Sequence, residues 1–301
     1  MRLNLNRTRR EELTAWAFSA PALLLLLLFL IIPFAMAFGL AFTDQRLIPG
    51  PLPTRIIGLR NFVRLLNDEV FRKAILHNFI FALVVVPVQS GLALGLALLV
   101  NQKLRGVAAF RAIYFLPTVT VMVVVAVVWT FLYSTEGGLI NELLRLISGG
   151  RLGPYRWLDD PKLAFPAIII LSIWQGVGFQ MIIYLAGLQE IPLDLYEAAS
   201  IDGASRGQQF WYITMPALRN THIFVLVTTT ILAFKLFTQV EVMTQGGPLD
   251  ATQTMVLHMV NMGYRQLKVG YASAISVIFV LIVLTISLIQ RRLLVEEREV
   301  A

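Results

Sequence analysis

The stretch EAASIDGASRGQQFWYITMP, residues 197–216, is a polar segment between two long apolar runs. Pro192 suits the first turn of a helix, and residues 193–201 are good helix formers. Gly203 provides a position where the backbone can turn left-handed and end that helix. A second short helix is expected over 205–212, ending before the proline that closes the quoted segment. The stretch therefore predicts two short helices joined by a turn.

The first of these helices has a flat and partly charged surface. Ala198 and Ala199 carry almost no side chain, so another protein surface can approach the helix backbone closely. Glu197 and Asp202 place carboxylates beside this small-residue face. A short helix of this shape fits a groove on a partner protein. The alternative is that residues 190–218 are only a solvated loop.

The rest of the chain has the composition of a membrane protein. Of its 301 residues, 57% are hydrophobic and 14% are charged, and the mean hydropathy of +0.73 lies outside the range of soluble domains. Charged residues separate six uncharged runs, at 13–43, 74–102, 112–135, 163–189, 220–234 and 269–290. A transmembrane helix needs about 20 residues, which every run except 220–234 provides. That fifth run reaches spanning length only by continuing through Lys235 to Val240.

The distribution of basic residues predicts that both ends of the chain are cytoplasmic. The first tail and the turn at 103–111 are short and basic, and short basic segments tend to stay inside. The expected fold is all-α, with six transmembrane helices in one domain over 13–292 and cytoplasmic tails at 1–12 and 293–301. This topology places 190–218 in the cytoplasm. A cleavable leader is disfavoured because the first apolar run is about twice as long as the apolar part of such a leader.

Three further helices are expected between the spans. Residues 59–74 place apolar and charged side chains at helical spacing, which is typical of an amphipathic helix at the outer interface or of a short solvated helix. A glycine-flanked helix is expected at 139–147, and another at 250–262, after the turn sequence TQGGP.

Enzymatic and metal-binding functions find little support. The segment GASRG at 203–207 fits the G-x-S-x-G motif of serine hydrolases, but it falls between two helices rather than at a strand-to-helix elbow. His77, His222 and His258 are too dispersed to predict a metal site, and the chain has no cysteine. No phosphate-binding G-x-x-x-x-G-K-[ST] segment is present, so ATP hydrolysis requires another protein. We expect no catalytic residue, metal, cofactor or nucleic-acid partner for this chain.

Polar and aromatic side chains inside the apolar runs mark a possible path for a polar solute, because such groups usually face the interior of a helix bundle. Gln180 and Tyr184 share one face at i, i+4 spacing, and amide and aromatic groups suit the hydroxyls and ring faces of a sugar. The candidates are Trp174, Gln175, Gln180, Tyr184, Asn78, Gln89, Trp129, Tyr133, Lys235 and Gln239. The aromatic residues can instead be interfacial anchors, and Asn78 or Gln89 can simply bond across helices. Lys235 can pair with an anionic solute or extend outward to the interface.

The segment quoted first closely resembles the EAA loop of permeases in binding-protein-dependent ABC importers. The match consists of Glu197-Ala198-Ala199, Gly203 and the run Ile213-Thr214-Met215-Pro216. Family members usually carry leucine where Met215 stands, a change that conserves volume and apolar character. From about residue 15 to residue 293 the chain also resembles the carbohydrate branch, the maltose and glycerol-phosphate permeases. The segments that carry this likeness are GLRNFVRLL at 58, FRAIYFLP at 110, GLIN at 138, YLAGLQEIP at 184 and MTQGGPLDAT at 243.

The resemblance implies a permease subunit of an importer for a sugar or related solute in a bacterial inner membrane. In that family the EAA loop forms a coupling helix that docks on an ATPase. The expected contact residues are Glu197, Ala198, Ala199, Asp202, Gly203, Ile213 and Pro216. The implied partners are a second homologous permease, two ATPase subunits that bind ATP and Mg²⁺, an external substrate-binding protein and membrane lipid.

The main alternative is a channel or secondary transporter that works without an ATPase. Such proteins often carry acidic residues in mid-span, and the apolar runs of this chain contain none. A membrane serine hydrolase is the remote alternative.

Overall fold

A computed structural model describes residues 7–48, 50, 53–102 and 106–294. Across these residues the regular elements are helices, and an isolated antiparallel bridge joins Thr43 to Ile56. The expected all-α class is therefore confirmed. The predicted tail residues 1–6 and 295–301, and residues 103–105 of the predicted basic turn, lie outside the described parts.

Within the described residues, five helical segments are long and apolar enough to cross a membrane. They are Glu11–Leu40, Glu69–Val100, Ala164–Gln189, Arg219–Met243 and Val269–Arg292. A sixth span is present only if α5 (Val107–Val119) and α6 (Met122–Leu132) count together, and these two helices are bent by 98°. The predicted span over 112–135 is thus present only as a bent pair of helices. The helix breaks shortly after Pro117, which lacks the backbone donor of a helix interior.

The described residues divide into two compact units. The first contains residues 7–67 and 259–278, and the second contains 68–258 and the residues from 279 onward. In the first unit, α1 (Arg7–Leu26), a π-helical turn at Leu27–Ile31 and α2 (Ile32–Leu40) follow each other without a break. Helix α1 therefore already includes residues 7–12 of the predicted tail.

The predicted helix over 59–74 is interrupted. Helix α3 covers Arg60–Leu66, and α4 (Glu69–Val100) begins after Asp68, whose carboxylate accepts a hydrogen bond from the amide of Phe71 at 3.1 Å. Aspartate is a favoured residue at a helix N-cap, so the chain starts a new and much longer helix at this point. Within the first unit, the amide of Asn61 donates to the carbonyls of Ala41 and Thr43 at 2.8 and 2.9 Å, which fixes α3 to the end of α2.

The second unit has α4, α8 (Ala164–Gln189) and α12 (Arg219–Phe234) at its centre, with α5 packed along α8. Small residues allow this close packing. A Cβ atom on Gly178 of α8 would overlap the backbone carbonyl of Tyr114 in α5, so only glycine permits the observed approach. Ala93 and Ala97 of α4 are fully buried in the core that also contains Met181. The mutual approach of these helices forms the walls of a central cavity.

Two further helix boundaries differ from those predicted. The fifth span is not one regular helix, because α12 ends at Phe234 and α13 (Thr238–Met243) starts after an irregular step at Lys235. The helix expected at 250–262 is shorter at its start: α14 covers Met255–Val260 and continues as a π-helical turn over Asn261–Arg265. By contrast, α7 covers Leu139–Ile147 as predicted. The last helix, α15, covers Val269–Leu294.

Candidate functional site

A cavity of about 360 Å³ lies among α4, α5, α8, α12 and α13 in the second unit. Its polar lining consists of amides and hydroxyls, from Gln89, Gln175, Gln180, Gln239, Thr118, Ser172, Thr228 and Thr229. Aromatic and aliphatic groups, including Phe81, Phe179 and Leu232, complete the wall. Among the residues that the structure describes, no charged side chain lines this cavity. The site can therefore hydrogen-bond a neutral polar molecule and pack against its apolar surfaces.

Gln180 has a defined orientation and an unused acceptor. Its Nε2 donates to Thr229 Oγ1 at 2.6 Å, and Thr229 Oγ1 in turn donates to the carbonyl of Val225 at 2.6 Å. The Oε1 of Gln180 is buried and has no hydrogen-bond partner in the described part of the chain. A buried carbonyl oxygen without a donor is costly, so a hydroxyl placed there stabilises the site.

The amide of Gln89 packs directly against Gly176 in the cavity wall. Gln89 is only 5% exposed, and no hydrogen bond joins its amide to another described residue. A Cβ on Gly176 would overlap Gln89 Nε2, so this glycine makes room for the amide. Gln89 thus supplies polar groups that the surrounding helices do not use.

The remaining polar groups tie the cavity wall together. Thr118 Oγ1 of α5 donates to the carbonyl of Gln175 at 2.8 Å, and the Gln175 amide approaches the carbonyl of Pro117 at 3.5 Å. Gln239 Nε2 lies 3.4 Å from Ser172 Oγ, which itself donates to the carbonyl of Ile168 at 2.7 Å. These contacts hold α5 and α13 against α8.

Asn78 is committed to the fold and does not line the cavity. It is 0% exposed, and its Nδ2 donates to the carbonyl of Phe234 at 3.0 Å. Its Oδ1 accepts from the amide of Met255 at 2.9 Å. One side chain therefore closes the end of α12 and the start of α14, two backbone positions without helical partners of their own.

Tyr184 also lies away from the cavity, although it follows Gln180 by one helical turn. Its hydroxyl is 3.0 Å from Nδ1 of His222, and the two rings meet edge to face with centroids 5.2 Å apart. Tyr184 therefore contacts α12 and is not among the residues that line the cavity.

The aromatic candidates form a separate row. Trp129 lies between Tyr133 and Trp174, with ring centroids 5.3 Å apart in both pairs, and the Tyr133 hydroxyl donates to the carbonyl of Ala167 at 3.0 Å. None of these three rings belongs to the cavity wall described above. Lys235 is exposed at the end of α12 and is likewise not part of that wall.

Sequence reasoning did not select the hydroxyl groups of this cavity. Ser172, Thr118, Thr228 and Thr229 line it beside the predicted glutamines. The run TTT at 228–230 within an apolar span is a visible indication of a polar helix face. The other hydroxyls carry no comparable pattern, because serine and threonine can satisfy themselves by bonding the backbone of their own helix.

The 197–216 segment has the predicted helix–turn–helix form. Helix α9 covers Leu193–Ile201 and ends at Gly203, whose φ of +79° is the left-handed conformation that favours glycine. The chain then continues through α10 (Arg206–Gln209), a π-helical turn at Phe210–Thr214 and α11 (Met215–Ala217). The second helical piece therefore runs through Pro216 instead of ending before it, because the widened turn accommodates the proline ring.

Side-chain contacts hold the two pieces of this segment together. Ser205 and Gln208 form a reciprocal capping box at the start of α10. Ser205 is the serine of the G-x-S-x-G match, so its hydroxyl caps a helix. The hydroxyls of Tyr196 and Thr214 are 2.8 Å apart and connect α9 to the following π-helical turn. Ile213 packs into the core beside Tyr196.

The predicted contact face of α9 is open. Glu197, Ala198, Asp202, Gly203 and Pro216 are exposed, and Ala199 is half-buried. No ion pair to Glu197 occurs among the described residues. Ile201 beside them is 87% exposed.

A buried polar cluster lies outside the spans. His258 is 1% exposed, and its Nε2 is 3.1 Å from Oδ2 of Asp68. Burial lowers the pKa of His258 below its ordinary value of 6.5, and the nearby carboxylates of Asp68 and Asp250 oppose this shift in part. Within the described residues, no group of histidine and acidic side chains has the arrangement of a metal site.

Comparison with known proteins agrees with this architecture. Residues 70–295 match the family described as binding-protein-dependent transport system inner membrane component. The lactose transport system permease protein LacF of Rhizobium radiobacter is 36% identical over 287 residues, which are 94% of each chain. The trehalose/maltose transport system permease protein MalF of Thermococcus litoralis is 34% identical over 281 residues, which are 93% of each chain.

A solved structure has the same fold. It is the crystal structure of a bacterial ABC transporter involved in the import of the acidic polysaccharide alginate, and one of its chains superposes with a TM-score of 0.81 at 24% identity. The superposition covers 95% of this chain and 96% of the other. From the family match and these relatives, the chain belongs to the binding-protein-dependent transport system inner membrane components, the multi-pass permease subunits of ABC importers.

Proposed function

We propose that this permease conducts a neutral sugar through the cavity formed by α4, α5, α8, α12 and α13. The observation that carries the proposal is a cavity lined by four glutamine amides with no charged group among the described lining residues. Amides both donate and accept hydrogen bonds, so they match the hydroxyls of a sugar, and Phe81 and Phe179 offer faces for its ring. The lactose and trehalose/maltose names of two relatives support the same class of solute.

The cavity chemistry disfavours an anionic solute. A phosphate or carboxylate taken out of water needs a cationic or multiple-donor partner. Lys235, the basic candidate within the predicted spans, is exposed and stands apart from the cavity lining. We therefore assign Lys235 to the membrane–water boundary, where its charge can remain hydrated.

The test of the cavity is transport by the full complex in proteoliposomes, with its cognate external binding protein. We expect uptake of neutral disaccharides such as lactose or maltose, and none of sugar phosphates. Gln180→Leu should raise the KM for uptake by the equivalent of about 1 to 3 kcal/mol, because a buried hydrogen bond is lost. Gln102→Leu is the matched control, since Gln102 is an exposed glutamine at the end of α4. An unchanged KM in Gln180→Leu would move the solute elsewhere.

For the 197–216 segment we propose the role of coupling element between the permease and its ATPase. Both chain ends then lie in the cytoplasm, and the complex contains a second homologous permease, two ATPase subunits and an external binding protein. Glu197 has no ion pair within the described residues, and Ala198 and Ile201 are exposed beside it. This combination of an unengaged carboxylate and a small, apolar helix face is suited to a groove with a basic or amide donor.

Substitutions of Glu197 and of Gly203 should disrupt coupling to the ATPase in different ways. Glu197→Ala removes one partner of an interfacial charge contact, which costs roughly 2 to 5 kcal/mol and should release the ATPase during purification. Gly203→Asp instead strains a left-handed backbone position, and no atom lies near its Cβ, so misdirection of α10 is the expected fault. Both variants should insert normally and lose uptake. Wild-type uptake together with full recovery of the ATPase in both would contradict this role.

A further inference from the structure

Helix α7, Leu139–Ile147, exposes an apolar stripe that no other part of the described chain covers. Leu139, Leu143, Leu146 and Ile147 are 54%, 46%, 73% and 85% exposed. Their spacing of i, i+4, i+7 and i+8 puts them on one side of the helix. We refer to these four side chains as the α7 stripe.

The stripe is exposed because the opposite side of α7 is firmly attached to the protein. Asn141 is 5% exposed, and its Nδ2 donates to the carbonyls of Tyr155, Ser134 and Thr135 at 2.9, 3.2 and 3.3 Å. Its Oδ1 accepts from the Tyr155 amide and from Trp157 Nε1, each at 3.0 Å. With five hydrogen bonds on one buried amide, α7 cannot simply rotate to hide its apolar stripe.

The polar side of α7 lies between the stripe and the anchored side. Arg145 and Glu142 form an ion pair at 2.7 Å, and their side chains are 65% and 44% exposed. The helix therefore has one side on the protein, one apolar side and one charged side. A helix at the surface of a bilayer requires this three-way division, because it meets protein, acyl chains and water at once.

Two observations place α7 at the level of the membrane surface. First, the anchoring residue Asn141 accepts a hydrogen bond from Trp157, whose ring centroid lies 5.5 Å from those of both Tyr133 and Tyr155. Tryptophan and tyrosine concentrate at the boundary between the hydrocarbon core and water. Second, α7 packs against α6, whose end exposes Val128 and Phe131 by 50% and 73%. The exposed apolar surface of α6, which is the second half of the bent sixth candidate span, thus continues onto α7.

We propose that α7 is an interfacial helix, with its stripe inserted among the acyl chains of the bilayer and the Glu142–Arg145 pair among the lipid headgroups. Lipid is the occupant because the stripe lies beside the exposed apolar surface of α6, in the bent sixth candidate span, and beside the Trp157 and Tyr155 rings. The helix then supports the C-terminal end of α6 from the side. The proposal depends on residence in the membrane and not on the identity of the solute.

Site-directed spin labelling tests this placement directly, since the natural chain contains no cysteine. Leu146→Cys and Leu143→Cys place a nitroxide on the stripe, and Arg145→Cys is the matched control on the same helix. The full chain, with the subunits that purify with it, is reconstituted in phosphatidylcholine vesicles. Collisions of the nitroxide with oxygen, which concentrates in lipid, and with a water-soluble nickel chelate are then measured by power saturation.

We expect the ratio of oxygen to nickel accessibility to be several-fold higher at positions 143 and 146 than at position 145. Low accessibility to both reagents at 143 and 146 would show that another protein subunit covers the stripe, and would overturn the proposal. High nickel accessibility at these two positions would overturn it as well, by showing a solvated loop helix. Agreement of the two stripe positions guards against a local effect of one label.

Discussion

Replacing Asn78 by leucine should destabilise the permease strongly without touching its solute site. The substitution keeps the approximate size of the side chain. It removes the hydrogen bond that Nδ2 donates to the Phe234 carbonyl at 3.0 Å and the one that Oδ1 accepts from the Met255 amide at 2.9 Å. The Phe234 carbonyl and the Met255 amide then lose this partner at a site closed to water, since Asn78 itself is 0% exposed. Each unsatisfied buried group costs about 1 to 3 kcal/mol, so we expect a loss of about 2 to 6 kcal/mol in the free energy of unfolding.

The assay is chemical unfolding of the detergent-purified chain, followed by fluorescence. Asn67→Leu is the control, because Asn67 is an exposed asparagine near the start of the same helix, and exposed substitutions usually change stability by less than about 0.5 kcal/mol. The KM for uptake, measured on the folded fraction of Asn78→Leu, should equal that of the natural chain. A stability loss no larger than that of Asn67→Leu, or a raised KM, would refute the reasoning.

Two further outcomes are expected. Because burial lowers the pKa of His258 below 6.5, the unfolded chain binds a proton at this histidine more readily than the folded chain, and stability should be lost as the pH falls through about 6.5. The melting temperature should therefore depend less on pH in His258→Gln than in the natural chain between pH 7.5 and 5.5. The same pH dependence in both proteins would contradict the assignment of this effect to His258. Gly178→Ala should destabilise by about 1 to 3 kcal/mol, since its Cβ would overlap the backbone of Tyr114 in α5. Gly91→Ala in α4, where no neighbouring atom lies near the Cβ, should be neutral or stabilising, and equal melting temperatures for both variants would count against close α5–α8 packing.

Local sequence patterns predict a helix well where residues within the segment itself determine its ends. The bounds of α9 and α7 follow from proline, glycine and helix-forming residues within the segments themselves. The bend after Pro117 was missed because hydropathy measures only apolar length, and both sides of the bend are equally apolar. Helix breaks at such places depend on which neighbouring groups satisfy the freed backbone, and that is a property of the packed structure.

The candidate site was predicted less completely, for a related reason. A polar residue in an apolar run must find a partner, but its sequence position does not say which one. Gln180 reaches the cavity, whereas Tyr184 on the same helical face bonds to His222, and Asn78 closes two distant helix ends. The threonines of α12 escaped notice because their hydroxyls can bond within their own helix.

The first membrane helix, Glu11–Leu40, has a bearing on how this chain can evolve. None of its most apolar window is buried by the rest of the described chain, whereas half of the corresponding window of Ala164–Gln189 is. Exchanges among leucine, isoleucine, phenylalanine and valine in the first helix therefore disturb no internal packing of this subunit, while one arginine near its middle costs about 2.5 to 3.5 kcal/mol of insertion energy. Selection within this chain acts on the length and apolar character of the first helix, and on the individual side chains of α8. Among related permeases, the order of residues in the first span should drift much faster than in α8.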